Sequence, residues 1–424
     1  MNAINQPRSG GLALFADRLQ AASAAGQQEA VALLERTGLP DRHVEEWKYT
    51  ALRPLGNVPY QAAPVVYDAG RATALLQTLP GWAEALAPLP KLVLVNGVYA
   101  PALSQLPEGV EVTPVSATAP AAAIPLSVQQ PLVALNAAMT HGGLNLHVRE
   151  GVDAGQVLLV SLGLGEGEPT SFHPRHTITL DKGARLSVLA LNLGDGAYFH
   201  NPVLDIHVAE RAELKHLTVQ QESAQAVVLG TVHAHVAEHG VYDSFTLTLG
   251  GLLTRYEAHA TLAAPRAAVH INGAQRLSGR QVGDITSVIT HAAPDCVSRQ
   301  TVRNVLDGHA RGVFQGKVLV KQVAQKTDGY QMNQALLLSA DAEIDAKPEL
   351  EIYADDVRCS HGATVGALDD EQLFYLRSRG VPEADARQIL IDAFLEESLS
   401  LVGDDVARDL CRSMIAQHFR AEEA

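Results

Sequence analysis

The stretch that decides the fold opens at Leu144–Asn145–Leu146–His147–Val148. It continues through Val157–Leu158–Leu159–Val160, Ala184–Arg185–Leu186–Ser187–Val188–Leu189 and Glu213–Leu214–Lys215–His216–Leu217–Thr218–Val219. Apolar and polar residues alternate in these runs, and a period of two puts successive side chains on opposite faces of an extended strand. The pattern recurs at Ser244–Phe245–Thr246–Leu247–Thr248–Leu249, Ala268–Val269–His270–Ile271 and Val313–Phe314–Gln315–Gly316–Lys317–Val318–Leu319–Val320. Asp181–Lys182–Gly183, Glu210–Arg211–Ala212 and Asn272–Gly273 read as the turns between them, the last because Asn-Gly tolerates positive φ. No amphipathic helix separates one run from the next, which disfavours a doubly wound α/β sheet. Two architectures remain: a sandwich or barrel, and a coiled solenoid. The loose recurrence of strand–turn–strand units at about 20–30 residues fits stacked rungs of a β-helix, and periodicity alone leaves both open.

Outward from this body the chain turns helical. Leu12, Leu14, Phe15 and Leu19, then Ala30, Val31, Leu33 and Leu34, recur at helical spacing, with breaks at Gly26 and Gly38–Leu39–Pro40. Glu45–Glu46–Trp47–Lys48–Tyr49–Thr50 follows, with Trp47 read as a core anchor. Short strand-like runs lie between Lys91 and Pro131, Pro114 to Pro125 reads as a linker, and Leu132 to Met139 as a short helix. Beyond the β body, Asp369–Asp370–Glu371 makes an acidic first turn, favourable against the helix dipole. Leu373, Phe374, Leu376 and Arg377 continue that helix to a break at Ser378–Arg379–Gly380–Val381–Pro382. Two more follow, one with Ile389, Leu390, Ile391, Phe394 and Leu395, the other from about Asp404 to Phe419. The expected division is a helical region at 1–90, a mixed strand and linker segment at 91–143, a β core at 144–366 and a helical region at 367–424.

The composition suits this plan. Among 424 residues there are 34 Gly but only 5% aromatic side chains, which favours many short turning strands over a large aromatic core. The net charge of −15, from 32 basic and 47 acidic residues, argues against nucleic-acid binding, which needs clustered Lys and Arg. No window approaches the roughly 20 apolar residues of a membrane helix, and Met1 to Leu12 has Arg8 but no apolar stretch suited to export. Three cysteines, Cys296, Cys359 and Cys411, suggest a reducing compartment, and the expected location is cytoplasmic.

Chemistry concentrates at Tyr353–Ala354–Asp355–Asp356–Val357–Arg358–Cys359–Ser360–His361–Gly362–Ala363–Thr364. A thiolate and an imidazole two residues apart share a face of an extended strand, and both suit iron, zinc or an iron–sulfur species. Arg358 and a turn at Gly362 would lower the thiol pKa. Two donors do not close a four-coordinate site, so other ligands must come from elsewhere in the fold or from another chain; the plain alternative is a structural pair. His291, Pro294, Asp295, Cys296, Ser298 and Arg299 form a second cluster, read as a turn with a packed cysteine. Cys411 reads as core, and His233 and His235 share a face without a third ligand. The chain has no Gly-x-x-x-x-Gly-Lys-Ser/Thr loop, no Gly-x-Ser-x-Gly elbow and no His-Glu-x-x-His helix; Gly163, Gly165 and Gly167 alternate too closely for a dinucleotide loop. Asp355–Asp356 alone does not commit to a carbohydrate-active β-helix enzyme, the reading from a different class.

Taken together, Asp355 to Thr364, Leu373–Phe374–Tyr375–Leu376–Arg377–Ser378–Arg379–Gly380, Ala386–Arg387 and Ile391–Asp392–Ala393–Phe394 resemble the C-terminal signature of the SufB/SufD family. Thr290–His291–Ala292–Ala293–Pro294, Gly312–Val313–Phe314–Gln315–Gly316–Lys317 and Glu46–Trp47–Lys48–Tyr49–Thr50 match as well. The shorter chain, few cysteines and the Trp-Lys-Tyr-Thr element place the resemblance on the SufD side. A SufB-like paralogue would be expected to carry a sulfur-accepting cysteine in the β body, where Cys296 is the only candidate. The resemblance implies a mainly β fold with helical ends, a right-handed parallel β-helix core flanked by N-terminal and C-terminal helical regions. It implies a non-enzymatic scaffold for iron–sulfur cluster assembly, partnered by SufB through the β-helix and by the ATPase SufC through the C-terminal helices, with a homodimer when isolated. His361, with Cys359 beside it, would be the ligand facing SufB; Phe374, Leu376, Arg377, Gly380, Ile391 and Phe394 would dock SufC. No cofactor would be held stably by this chain alone, only a transient cluster or iron in the complex, exposed when ATP hydrolysis shifts the coils.

Overall fold

A computed structural model describes residues 11–57, 59–116, 126–165 and 167–423. The part of the expected linker beyond Ser116, and most of the stretch Met1 to Leu12, lie outside the described residues. The alternating runs are strands, and each pairs in parallel with the strand one turn further along the chain. Leu253 lies opposite Val282 and Val282 opposite Arg311, a step of 29 residues both times (282 − 253 and 311 − 282). One sheet takes Leu144–Val148, Arg175–Leu180, Val203–Val208, Val227–Val236, Leu253–Leu262, Val282–His291, Arg311–Val320 and Glu343–Ile352 in that order. The other takes Lys91–Val95, Asp153–Leu164, Arg185–Asp195, Glu213–Gln221, Val241–Thr248, Ala268–Leu277, Val297–Leu306, Asp328–Leu337 and Arg358–Gly366. The chain passes back and forth between the two and so builds a parallel β-solenoid of about eight turns, with helices at both ends. Segment 91–143 takes part in it: Lys91–Val95 opens the second sheet, and Glu111–Pro114 pairs antiparallel with Leu144–Val148.

One corner of the coil has a repeating backbone device. Gly183, Arg211, His239, Arg266, Asp295 and Lys326 all have left-handed φ, between +55° and +68°. Each donates its N–H to a carbonyl of the next corner, as Arg211 does to Glu238 at 3.0 Å and Asp295 to Gln325 at 2.9 Å. The corner thus closes its own hydrogen bonds rung by rung, which satisfies backbone groups that no strand ladder reaches. Asn272–Gly273 is not a turn. It lies inside Ala268–Leu277, where a Cβ on Gly273 would sit 3.0 Å from both Ile285 Cδ1 and the Thr246 carbonyl; close packing, not positive φ, requires the glycine.

Helices cover the outer faces. The helices α1 (Ala16–Ala24), α2 (Gln28–Thr37), α3 (Ala69–Gln77) and α4 (Pro131–Met139) belong to the N-terminal part. Leu19, Leu34 and Leu135 of α1, α2 and α4 join Trp47, Tyr60, Phe199, Val227 and Leu253 in one apolar cluster against the first sheet. At the other end come α5 (Asp370–Ser378), α6 (Glu383–Leu399) and α7 (Asp405–Glu423). Ile391, Leu395, Leu410 and Met414 of α6 and α7 pack on Leu217, Phe245 and Val305 of the second sheet.

The Glu45–Thr50 element is tied to the coil by a buried ion cluster. Arg255, 1% exposed, donates from Nη1 to Asp284 Oδ2 at 2.5 Å and from Nε and Nη2 to Glu257 Oε2 at 3.0 and 2.9 Å. Its guanidinium lies 4.1 Å from the centre of the Trp47 ring, the Thr50 hydroxyl donates to Asp284, and Gln315 Nε2 donates to the Glu46 carbonyl at 3.0 Å. Burial alone would raise the Glu257 pKa, but Arg255 and His259 outweigh it and hold the carboxyl down to about 2. Removing one member of such a cluster leaves uncompensated charge in the interior. Arg255→Ala is therefore expected to cost about 3–5 kcal/mol of stability, read as a lowered denaturant midpoint and as exposure of Trp47 to quenchers in a Trp82→Phe background.

Candidate functional site

The solenoid ends on two strands, Glu343–Ile352 and Arg358–Gly366, each paired on one side only. The two free edges differ. Glu343–Ile352 carries Pro348 at its centre and charged side chains at Glu343, Asp345, Lys347, Glu349 and Glu351. Proline and charge are the usual means by which an edge resists further pairing. Arg358–Gly366 has no proline, so its edge N–H and C=O groups are open to another strand.

In-register pairing places the chemistry of that second edge. Cys359 lies opposite Gly329, and His361 opposite Gln331. Gly329, Gln331 and Asn333 are buried and face the inside of the coil, so Cys359 and His361 stand on the interior-facing side of the last strand. Cys359 is half-buried; His361, on the last rung, is exposed. A Cβ on Gly329 would sit 3.4 Å from Cys359 Sγ and 3.5 Å from Ser298 Oγ, so thiol and hydroxyl flank the bare glycine. Ser298 in turn pairs with His291 Nε2 at 2.8 Å. The fold thus brings the two sequence clusters, one around His291 and Ser298 and one around Cys359 and His361, into one column. His291 is fully buried, and burial pulls its pKa to about 4, so it is a neutral support within the coil.

The expectation that Arg358 and a turn at Gly362 lower the thiol pKa is not met. Burial raises the pKa of Cys359; a backbone hydrogen bond from Gly329 opposes this, and Asp328 adds to the rise. Arg358 alternates to the opposite face, and Gly362 lies within the strand, where a Cβ would meet Met332 Cε at 2.8 Å. The other thiols are core: Cys296 donates to the Ala264 carbonyl at 3.4 Å, and burial pushes Cys411 up to about 12. His233 stacks on His259 at 5.3 Å and meets Gln130 Oε1 at 3.2 Å. Among the described residues no group of three or more His, Cys, Asp or Glu is placed to hold a metal ion. Cys359 and His361 therefore offer two donors, not a closed site.

The strand runs on through residues 367–369 into α5, whose N-cap Asp369 accepts from the N–H groups of Glu371 and Gln372 at 2.8 and 3.1 Å. None of the residues of α5 is buried. Phe374 is 74% exposed, and Tyr375 lies under Arg379 with 5.0 Å from the guanidinium to the ring centre. Leu376 is half-buried, Arg377 reaches Glu383 at 3.3 Å, and Gly380 turns the chain at φ +88°. Ile391 and Phe394 instead face the coil. Ile391 is buried in the cluster with the second sheet, and the Phe394 ring lies 4.6 Å from the Arg303 guanidinium, which also donates to the Phe394 carbonyl at 2.5 Å. These two hold α6 in place, whereas Phe374, Arg377 and Gly380 line an open groove. No described helix is long and apolar enough to cross a membrane.

Residues 163–394 match the family model described as "SUF system FeS cluster assembly, SufBD core domain". The chain is 34% identical over 396 residues to the iron–sulfur cluster assembly protein SufD of Escherichia coli K12, covering 92% of each. It is 31% identical over 404 residues to an iron–sulfur cluster assembly SufBD family protein of Synechocystis sp. PCC 6803, covering 89% of this chain and 86% of that one. A SufBD family protein of Mycobacterium tuberculosis H37Rv is 28% identical over 268 residues, 61% of this chain and 67% of that one.

The placement of the three thiols sets their order of reaction. In the folded chain iodoacetamide is expected to label Cys359 first, with Cys296 and Cys411 protected until denaturant is added. Peptide mass spectrometry over time checks this; early labelling of Cys411 would contradict the packing of α7.

Proposed function

The chain is a SufD-like member of the SufBD family of iron–sulfur cluster assembly proteins, and from that premise we propose that it is a scaffold subunit that completes its site with a second chain. It pairs with a SufB-type partner along the free edge of Arg358–Gly366, contributes His361 and Cys359 to the nascent cluster, and presents α5 to a SufC-type ATPase. The cluster is cargo, held while it forms and then passed on.

One observation carries this reading: the two donors lie on an end strand that pairs on one side only and holds no proline, and the described fold supplies no third donor beside them. A borderline ligand such as imidazole suits iron, and coordination shared between chains is lost when the chains separate. The asymmetry of the two free edges directs the partner. Pro348 and the charges around it resist a strand on the first sheet, which leaves the second, where His361 stands. The α5 surface supports the ATPase contact through an exposed aromatic beside a cation, a combination enriched at protein interfaces.

Two measurements test it. The chain is co-expressed with SufB and SufC partners, the complex is purified, and bound iron and sulfide are determined. His361→Ala is expected to assemble with normal stoichiometry yet lose most of its iron and sulfide; full loading of the variant would remove His361 as a ligand. Phe374→Asp is expected to weaken SufC capture in a pull-down by about 2 kcal/mol or more, the scale of an interface anchor, without lowering thermal stability. Undiminished capture would place the ATPase contact elsewhere.

A further inference from the structure

The interior of the coil carries polar side chains among apolar ones. Leu146, Ile178, Val188, Ile206, Leu214, Val269 and Ile271 join one apolar cluster, while His216, Gln220, Ser244 and Thr248 are buried on the same inward faces. Toward the open end the polar members are mostly amides. Gln275 Nε2 donates to Asn304 Oδ1 at 2.8 Å, and Asn304 Nδ2 donates to Asn333 Oδ1 at 2.8 Å. Beside that chain runs a second column, Gln300, Gln331 and His361, set one above the other by the strand register. Gln300 Oε1 is satisfied by the Ser287 hydroxyl at 2.7 Å. Gln331 is not satisfied: it is fully buried, and neither its Oε1 nor its Nε2 has a partner.

A buried amide with both polar atoms idle is costly and calls for an explanation. Its column places His361 next, one strand spacing of about 4.8 Å away on the same face. We propose that Gln331 is a positioning residue for His361. Its side-chain oxygen accepts the N–H of the ring nitrogen turned into the coil, which holds the proton there and turns the other nitrogen, with its lone pair, out toward incoming metal. A histidine ligand is commonly oriented in this way through its second nitrogen, with a carbonyl or carboxylate as acceptor. The inference rests on His361 being a ligand, but the contact itself needs no metal and is measurable without one.

The isolated chain is labelled with 15N-histidine and the ring shifts are read in mildly alkaline buffer, with the His361 signals assigned by their loss in His361→Ala. One tautomer is expected to dominate at His361 in the wild type. Gln331→Met keeps the length and removes both polar atoms, and is expected to mix the tautomers. Gln331→Glu keeps an acceptor and is expected to retain the wild-type form. Identical tautomer ratios in wild type and Gln331→Met would overturn the proposal, as would loss of the preference in a folded Gln331→Glu, which decides the matter even where the methionine variant does not fold. In the assembled complex, Gln331→Met is expected to bind iron about 10-fold or more weakly, with Gln331→Glu restoring most of the affinity; equal affinity in wild type and Gln331→Met also counts against it. Normal loading by His361→Ala would remove the ligand reading instead, while the tautomer measurement would still decide the contact.

Discussion

Parallel hydrogen bonding between strands one turn apart, in register, governs everything else in this molecule. Once Leu253 faces Val282 and Val282 faces Arg311, each side chain on a rung stacks on one side chain above and one below, and the interior becomes a set of columns. A column has no freedom of its own. Cys359 sits over Gly329 and Ser298, and His361 over Gln331 and Gln300, because the ladders admit no other alignment. A slip of one residue would send both donors to the outer face. The corner residues, each donating to the next corner, fix that register from outside the ladders.

The same constraint makes the end of the coil special. Each internal strand is paired on both sides, whereas the two strands of the last rung pair on one side only, and the protein treats these two edges differently. Glu343–Ile352 is blunted by Pro348 and charge; Arg358–Gly366 is left able to pair. At the other end, Val98–Tyr99 and Glu111–Pro114 pair antiparallel with the first strands of the two sheets. The helical N-terminal part lies along the outer face of the first sheet, where Trp47 and Thr50 meet Arg255 and Asp284 and Glu45 reaches Lys347 on the last rung. It anchors the coil from the side, and the chemistry collects at the end of the second sheet.

Much of this was legible in the sequence, and the failures have physical causes. Alternation from Leu144 onward marks the strands because each has one face against packed side chains. Alternation cannot tell a solenoid from a sandwich, since a period of two says nothing about which strand lies alongside. The repeating signal that would have decided it, the left-handed corner, is hidden because Gly183, Arg211, His239, Arg266, Asp295 and Lys326 share a backbone conformation and not a residue type. Asn272–Gly273 misleads for the converse reason: the pair suits a turn, but here a missing Cβ serves packing against Ile285. The Cys-x-His pair could be read directly, whereas its supports could not. Ser298 and Gln331 become neighbours of Cys359 and His361 only through steps of about thirty residues, a repeat length typical of solenoids, and only the register reveals them. The packing of Ile391 on the second sheet and of Phe394 against Arg303 likewise follows from the fold and not from residue type.

These features also bear on how an ATPase partner would act on the site. Only residues 367–369 separate the edge strand from α5, the helix with no buried residue of its own, while the next helix, α6, is fastened to the coil through Ile391, Leu395 and Phe394. A pull applied at α5 therefore has two routes: into α6, which resists through its apolar contacts with the coil, and back along three residues into Arg358–Gly366, which has a ladder on one side only. The less fastened element yields first. In the function proposed here, force from the ATPase would reach the strand that bears Cys359 and His361 before it disturbed the rest of the coil. A metal pocket completed by a second chain would then open by a small displacement of that strand, because two donors leave together and those that remain cannot close the coordination sphere.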